Sequence, residues 1–186
     1  MYRLVLASII AFILALSGCS GGGSSQKQKH DVLHIASWQS RETFTPSYKG
    51  EYLPIDAVGM HEIREISREL SDRWTDISDP EKWGAKDYYQ TSEESLRDMS
   101  GDCDDYATLL YIMLLDAGYP PDCLAVISFL MPPADGEIDG HADLCVFPDG
   151  FDGEFHRVFA GQSRSSLYLE GWTPIAGFTL DSYWLY

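Results

Sequence analysis

The sequence predicts an α+β domain in which one buried helix packs on the face of an antiparallel sheet. Two observations carry that reading. Through the middle of the chain, apolar residues recur at three- and four-residue spacing. From about residue 123 onward they give way to short β-type runs separated by Gly-, Pro- and Asp-rich turns. Helices first and strands after is the order of an α+β domain, not of alternating βαβ units. A length of 186 residues suits one domain, and 45% hydrophobic with 13% aromatic content suffices for a packed core. The formal charge of −16 argues against nucleic acid as a partner, because phosphate contacts need clustered Lys and Arg.

The chain opens with a targeting segment. Arg3 is a short positive start, Leu4 to Leu16 is apolar, and Leu16-Ser17-Gly18-Cys19 ends it in small residues. The stretch is too short for a membrane span and reads as a signal peptide. Its ending resembles the bacterial lipoprotein box, in which the cysteine is lipidated and becomes the new N-terminus. Cys19 is therefore the expected lipidation site. The expected location is the bacterial cell envelope, lipid-anchored to a membrane on its periplasmic or cell-surface side. Ser20 to Ser25 is a Gly/Ser tether, and residues 26–58 read as extended or irregular. The expected organisation is a signal peptide (1–18), a lipidated cysteine with a flexible tether (19–58) and a folded domain (59–186).

Within the domain, Ile63, Ile66, Leu70 and Trp74 mark an amphipathic helix over Met60–Trp74. Thr91 followed by Glu94 is a capping box that starts a short helix reaching about Met99. Gly101 breaks the chain, and Cys103–Ala117 is a second long helix with almost no polar face. It is expected to be buried on most sides, and Gly118 with Pro120-Pro121 ends it. Cys123–Leu130 is the first strand, Met131–Gly140 a loop, His141–Phe147 a second strand, Pro148–Gly153 a turn and Glu154–Ala160 the return strand. Phe178–Tyr186 adds one or two short strands.

The chemistry concentrates in Gly101-Asp-Cys-Asp-Asp-Tyr-Ala107. A cysteine in the first turn of a helix faces unpaired backbone N–H groups and the positive end of the helix dipole, and both favour a thiolate. The same N–H groups suit an oxyanion in acyl transfer. Asp102, Asp104 and Asp105 oppose this by placing negative charge beside the sulfur. Either a cation neutralises them or they point away and cap the helix. The base that a nucleophilic cysteine requires is expected at His141, which starts an apolar strand. A helix-start cysteine with a strand-borne histidine is the papain-like arrangement.

At these residues the chain resembles the bacterial transglutaminase-like cysteine proteinases, within the papain-like and transglutaminase-like group. The motifs are Trp83-Gly84, Asp87-Tyr-Tyr89, Gly101-Asp-Cys-Asp-Asp-Tyr-Ala107, Gly118-Tyr-Pro120 and His141-Ala142. The family pattern around the nucleophile carries Glu where this chain has Asp104. The resemblance implies a papain-like or transglutaminase-like fold, Cys103 as nucleophile, His141 as general base, and hydrolysis of peptide or amide bonds in a peptide or protein substrate. It also implies calcium, held by the acids flanking the cysteine, Asp102 and Asp104. Oxygen ligands of this kind suit Ca²⁺.

The family's orienting Asp lies on the strand after the histidine, and at that position this chain has Ala160. A turn centred between Gly150 and Phe151 likewise sets His141 opposite Ala160. Three readings stay open. Gln162 orients the imidazole, with Asp143 and Asp152 as further candidates; or the Cys–His pair works alone at reduced rate; or the protein is a degenerate relative that binds a peptide or cell-wall component without cutting it. Cys123 and Cys145 sit on expected strands and are read either as a disulfide or as core thiols. Trp83, Tyr88 and Tyr89 are read as packing residues or as the lining of a groove.

Overall fold

The computed structural model describes residues 24–131, 140–151, 154–158 and 171–186. Its first element departs from expectation. Ser24–Arg41 is an 18-residue helix, α1, not an irregular tether. Val32, Ile35 and Trp38 lie three residues apart and bury one stripe of it against the domain. The polar residues between them hide the period. Gln39 ties the end of α1 to the carbonyls of Thr179 (2.9 Å) and Ser182 (3.0 Å). The Glu42 carboxylate just beyond it accepts from the Ser92 backbone (2.7 Å) and hydroxyl (2.8 Å).

Asp56 caps Ala57–Ser71 (α2), accepting from the backbone of Val58 and Gly59. The expected span of 60–74 is thus shifted by one turn, because the cap precedes the apolar stripe. Thr75–Asp76 (β1) and Asp79–Lys82 (α3) follow. Ser92–Asp98 (α4) carries the capping box, with Thr91 and Glu94 exchanging both bonds. Ser100–Gly101 (β2) pairs in parallel with β1. Cys103–Ala117 (α5) has the expected bounds, and Gly118 ends it in the left-handed conformation at φ 101°.

Five antiparallel strands complete the domain: Leu124–Leu130 (β3), Gly140–Val146 (β4), His156–Val158 (β5), Thr173–Phe178 (β6) and Tyr183–Leu185 (β7), in the order β5-β4-β3-β6-β7. β6 was not foreseen, since Pro174 and Gly177 interrupt its pattern. α5 packs on the face lined by Leu124, Val126, Leu144, Val146, Ala176 and Phe178. The opposite face carries Ile127, Phe129, Cys145 and Phe147 under Phe155, Trp172 and Trp184. The domain is the expected α+β arrangement, a buried helix on an antiparallel sheet.

The β4–β5 register differs by one residue from the expected one. Leu144 faces Val158, Cys145 faces Arg157 and Val146 faces His156. The connection is therefore centred on Phe151, whose ring packs on Phe147 (5.1 Å) and Trp184 (5.3 Å). These pairs do not extrapolate to His141 opposite Ala160. Residues 159–170, with Ala160 and Gln162 among them, lie outside the described residues, as do Asp152, the loop 132–139 and the targeting segment with Cys19.

Candidate active site

Local structure fixes the start of α5 before any side chain is considered. Met99 ends α4 in the left-handed conformation (φ 48°) and turns the chain into β2. The Gly101 carbonyl accepts from Ile77 N–H (3.0 Å) and from the Trp74 indole (3.2 Å). A Cβ at Gly101 would collide with the Asp105 carboxylate and the Gln90 amide, so the motif's glycine is required by space. Asp102 is the N-cap residue of α5, but its side chain makes no capping bond. The N–H groups of the first turn therefore lack a side-chain cap, which is the condition for holding an anion there.

Four carboxylates surround this turn. Asp105 is fully buried and accepts from Gln90 through both the backbone N–H (2.7 Å) and the side-chain amide. Burial, against those hydrogen bonds, pushes its carboxyl up to about 7, and the charges of Asp102 and Asp79 add to the effect. Asp79 accepts from the Tyr88 N–H (2.5 Å), and burial with the charge of Asp102 pushes it up to about 6. Burial, then the charge and hydrogen bond of Asp102, raise Asp104 well above the usual carboxylate range. Lys82 is the nearby cation. Its ammonium donates to Gln90 Oε1 (2.7 Å) and the Ser100 carbonyl (2.8 Å), and reaches Asp98 at 3.4 Å.

These carboxylates fit a cation. Ligand atoms of Asp102, Cys103 and Asp104 lie within 4.8 Å of one another, as do those of Asp79, Asp102 and Asp105. Asp102 Oδ1 and Asp104 Oδ2 are buried without a hydrogen-bond partner. Buried carboxylate oxygens with no donor are costly unless something positive meets them, and the all-oxygen set of Asp79, Asp102 and Asp105 suits a hard cation such as Ca²⁺, whereas the first set includes the Cys103 sulfur. Asp79 and Asp105 were not among the residues expected to contribute. Nothing in the local sequence marks Asp79, and Asp105 reads as one more helix-start acid.

Cys103 is half-buried at the first position of α5, close enough to the His141 ring for the sulfur to favour the charged imidazole. His141 stands at the start of β4 with Nε2 3.1 Å from Asp143 Oδ1, so Nδ1 is the ring nitrogen left for the sulfur. Burial disfavours the charged ring, but the hydrogen bonds and charges of Asp143 and Cys103 outweigh it and push the imidazole up to about 10. Asp143 in turn accepts from Arg157 Nε at 2.7 Å and from its Nη2. The structure thus sets Cys103, Asp102 and Asp104 on one turn, with His141 as the electrostatic partner of Cys103. It also sets Asp143 on the histidine, where Gln162 had been preferred. An acid two residues after a strand-borne histidine shares its face, and that spacing was the available signal.

Cys123 and Cys145 are free thiols, not a disulfide, and burial raises both. Tyr89 is buried, while Trp83 tilts against Tyr88 at 5.0 Å with 37% of its surface exposed, so Tyr88 and Tyr89 pack.

A mixed fold with a cysteine at the head of the buried helix and a histidine on the adjacent strand defines the papain-like, transglutaminase-like class. The profile of the bacterial transglutaminase-like cysteine proteinases (BTLCP) matches residues 39–155, and the chain belongs to that family. Among solved structures, calcium-bound LapG of Legionella pneumophila is 20% identical with a TM-score of 0.56, over 95% of this chain and 87% of that one. EGTA-treated LapG from the same organism gives 20% identity and a TM-score of 0.56, over 95% and 85%. At that identity the likeness speaks for the fold. No curated protein matches the chain.

Proposed function

We propose that the protein is a calcium-dependent thiol peptidase of the bacterial cell envelope, anchored through lipid on Cys19, with a peptide or protein substrate. The observation that carries the reading is Cys103 at the uncapped start of α5 with His141, held by Asp143, as its electrostatic partner. Cys103 Sγ attacks the peptide carbonyl carbon. The oxyanion forms where the first-turn N–H groups of α5 are free to donate. His141, already protonated, delivers its proton to the leaving amine as the C–N bond breaks. The neutral ring then takes a proton from the water that attacks the thioester, and cleavage of the C–S bond releases the acid and restores the thiolate–imidazolium pair. Asp102 and Asp104 would hold calcium, with Asp79 and Asp105 beside them, as the unpartnered buried oxygens favour. Bound calcium supplies the positive charge that offsets these acids next to the sulfur. The Leu16-Ser-Gly-Cys19 run supports the anchor, and relatives' calcium-bound and EGTA-treated forms support the metal.

The test is a peptide library incubated with the full chain in calcium, with new N-termini read by mass spectrometry. Cleavages that vanish in Cys103→Ala and fall on calcium chelation are expected. Retention of peptides without any Cys103-dependent cleavage would instead make this a binding protein.

A further inference from the structure

The family's orienting Asp follows the histidine on the next strand, and this chain has Ala160 in the matching run. We propose that the role has moved to Asp143 on the histidine's own strand, and that Arg157 and Trp172 hold it there. The inference rests on the thiol-peptidase reading and adds its positioning residue.

Four side chains form a continuous array on one face of the sheet. His141 and Asp143 are alternate residues of β4, so both project to the same side. Asp143 Oδ1 meets His141 Nε2 at 3.1 Å, and Oδ2 takes two donors from Arg157. Arg157 lies opposite Cys145 in the register, which puts it on the same face, diagonal to Asp143. Its guanidinium lies between two rings, 4.1 Å from Trp172 and 4.6 Å from Phe129. Trp172 then closes on the histidine, edge to face at 5.4 Å and 77°. Asp143 is 2% exposed and Arg157 5%.

This array differs from ordinary packing in two respects. A buried ion pair is replaceable by apolar residues of similar volume, often with no loss of stability, so stability alone is weak grounds for keeping one. Here, moreover, one carboxylate oxygen is turned away from the arginine and onto the imidazole. That oxygen fixes the ring with Nε2–H toward Asp143 and Nδ1 toward Cys103, which is what the reaction needs from a third member. The arginine occupies the other oxygen and keeps the carboxylate from turning away. Trp172 covers the His141 ring, and water competes less well for a hydrogen bond under an apolar cover.

The test compares the full-length wild type with Asp143→Asn, the double variant Asp143→Leu/Arg157→Met, and His141→Ala, at one calcium concentration. Iodoacetamide alkylation is read on Cys103 by peptide mass spectrometry, and the His141 ring is read by ¹⁵N NMR. At about pH 6 the rate should fall about 10-fold in Asp143→Asn and about 100-fold in the double variant. At about pH 9.5, where an ordinary thiol ionises unaided, all variants should lie within about 3-fold of wild type. The wild-type ring should show its Nε2–H in a hydrogen bond, and the double variant should lose that hydrogen-bonded N–H signal. The apolar double variant is chosen to keep the fold, with circular dichroism as the check. Wild-type rates and a wild-type ring spectrum in both Asp143 variants, with His141→Ala still impaired, would overturn the positioning role alone. A wild-type rate in His141→Ala would overturn the peptidase reading beneath it.

Discussion

Cys103, Cys123 and Cys145 are one side chain in three settings. Cys145 is fully buried between sheet and aromatic layer, Cys123 lies part-buried beside Asp122, and Cys103 sits at a helix start with a histidine as its electrostatic partner. At neutral pH iodoacetamide should therefore label Cys103 at least about 10-fold faster than Cys123, and Cys145 only on unfolding, as peptide mapping will show. Asp102→Asn and Asp104→Asn each remove an oxygen from the unpartnered set. Each should weaken calcium binding about 10- to 100-fold by isothermal titration, and an unchanged affinity would place the ion elsewhere. At this scale Cys103 and the flanking acids were legible in the sequence, because their spacing within one motif is fixed by helix geometry, and His141 was legible from its place at the head of an apolar strand. The part played by Asp143 was legible only as one candidate among several. Its choice depends on Arg157, fourteen residues away and across a turn, and a single residue's shift in that turn altered the expected pairing.

Among the elements, α5 was fully legible: an apolar run bounded by a glycine break and a left-handed glycine cap. α1 was not, because its helical state depends on tertiary contact with β6 more than on local preference. Trp38 is the measure of that contact. It is fully buried and meets Phe178 edge to face at 5.5 Å, yet its indole N–H has no partner. Trp38→Ala should cost about 3–5 kcal/mol in urea unfolding. Trp38→Phe should cost less than about 1.5 kcal/mol, because it keeps the ring and removes the unpaired donor. In α4 the capping box makes Thr91→Ala a loss of about 1 kcal/mol.

The whole molecule carries its strongest electrostatic tension at the site. Asp79 and Asp105 titrate above the ordinary carboxylate value of 3.8, so the stability they give is present below that value and lost as pH rises through about 6 and about 7. Asp98 has the opposite sign. Its hydrogen bond with Arg97 lowers it to about 2, so its contribution is present above 3.8 and lost as pH falls through about 2. The calcium-free protein should accordingly melt highest at about pH 4 and progressively lower toward neutrality, by differential scanning calorimetry. Calcium at about 100 times its Kd should raise the Tm at neutral pH by about 5–10 °C and flatten that slope. A neutral-pH melting point indifferent to calcium would argue against an ion among these carboxylates.

The central claim is that Cys103 and His141 form a working pair, and the alkylation rate of Cys103 across about pH 4 to pH 10, in wild type and His141→Ala with calcium present, tests it most directly. A wild-type rate that stays high below about pH 7 and collapses in the variant is the predicted result. Two superimposable curves, both rising only above about pH 8 as an ordinary thiol ionises, would contradict it.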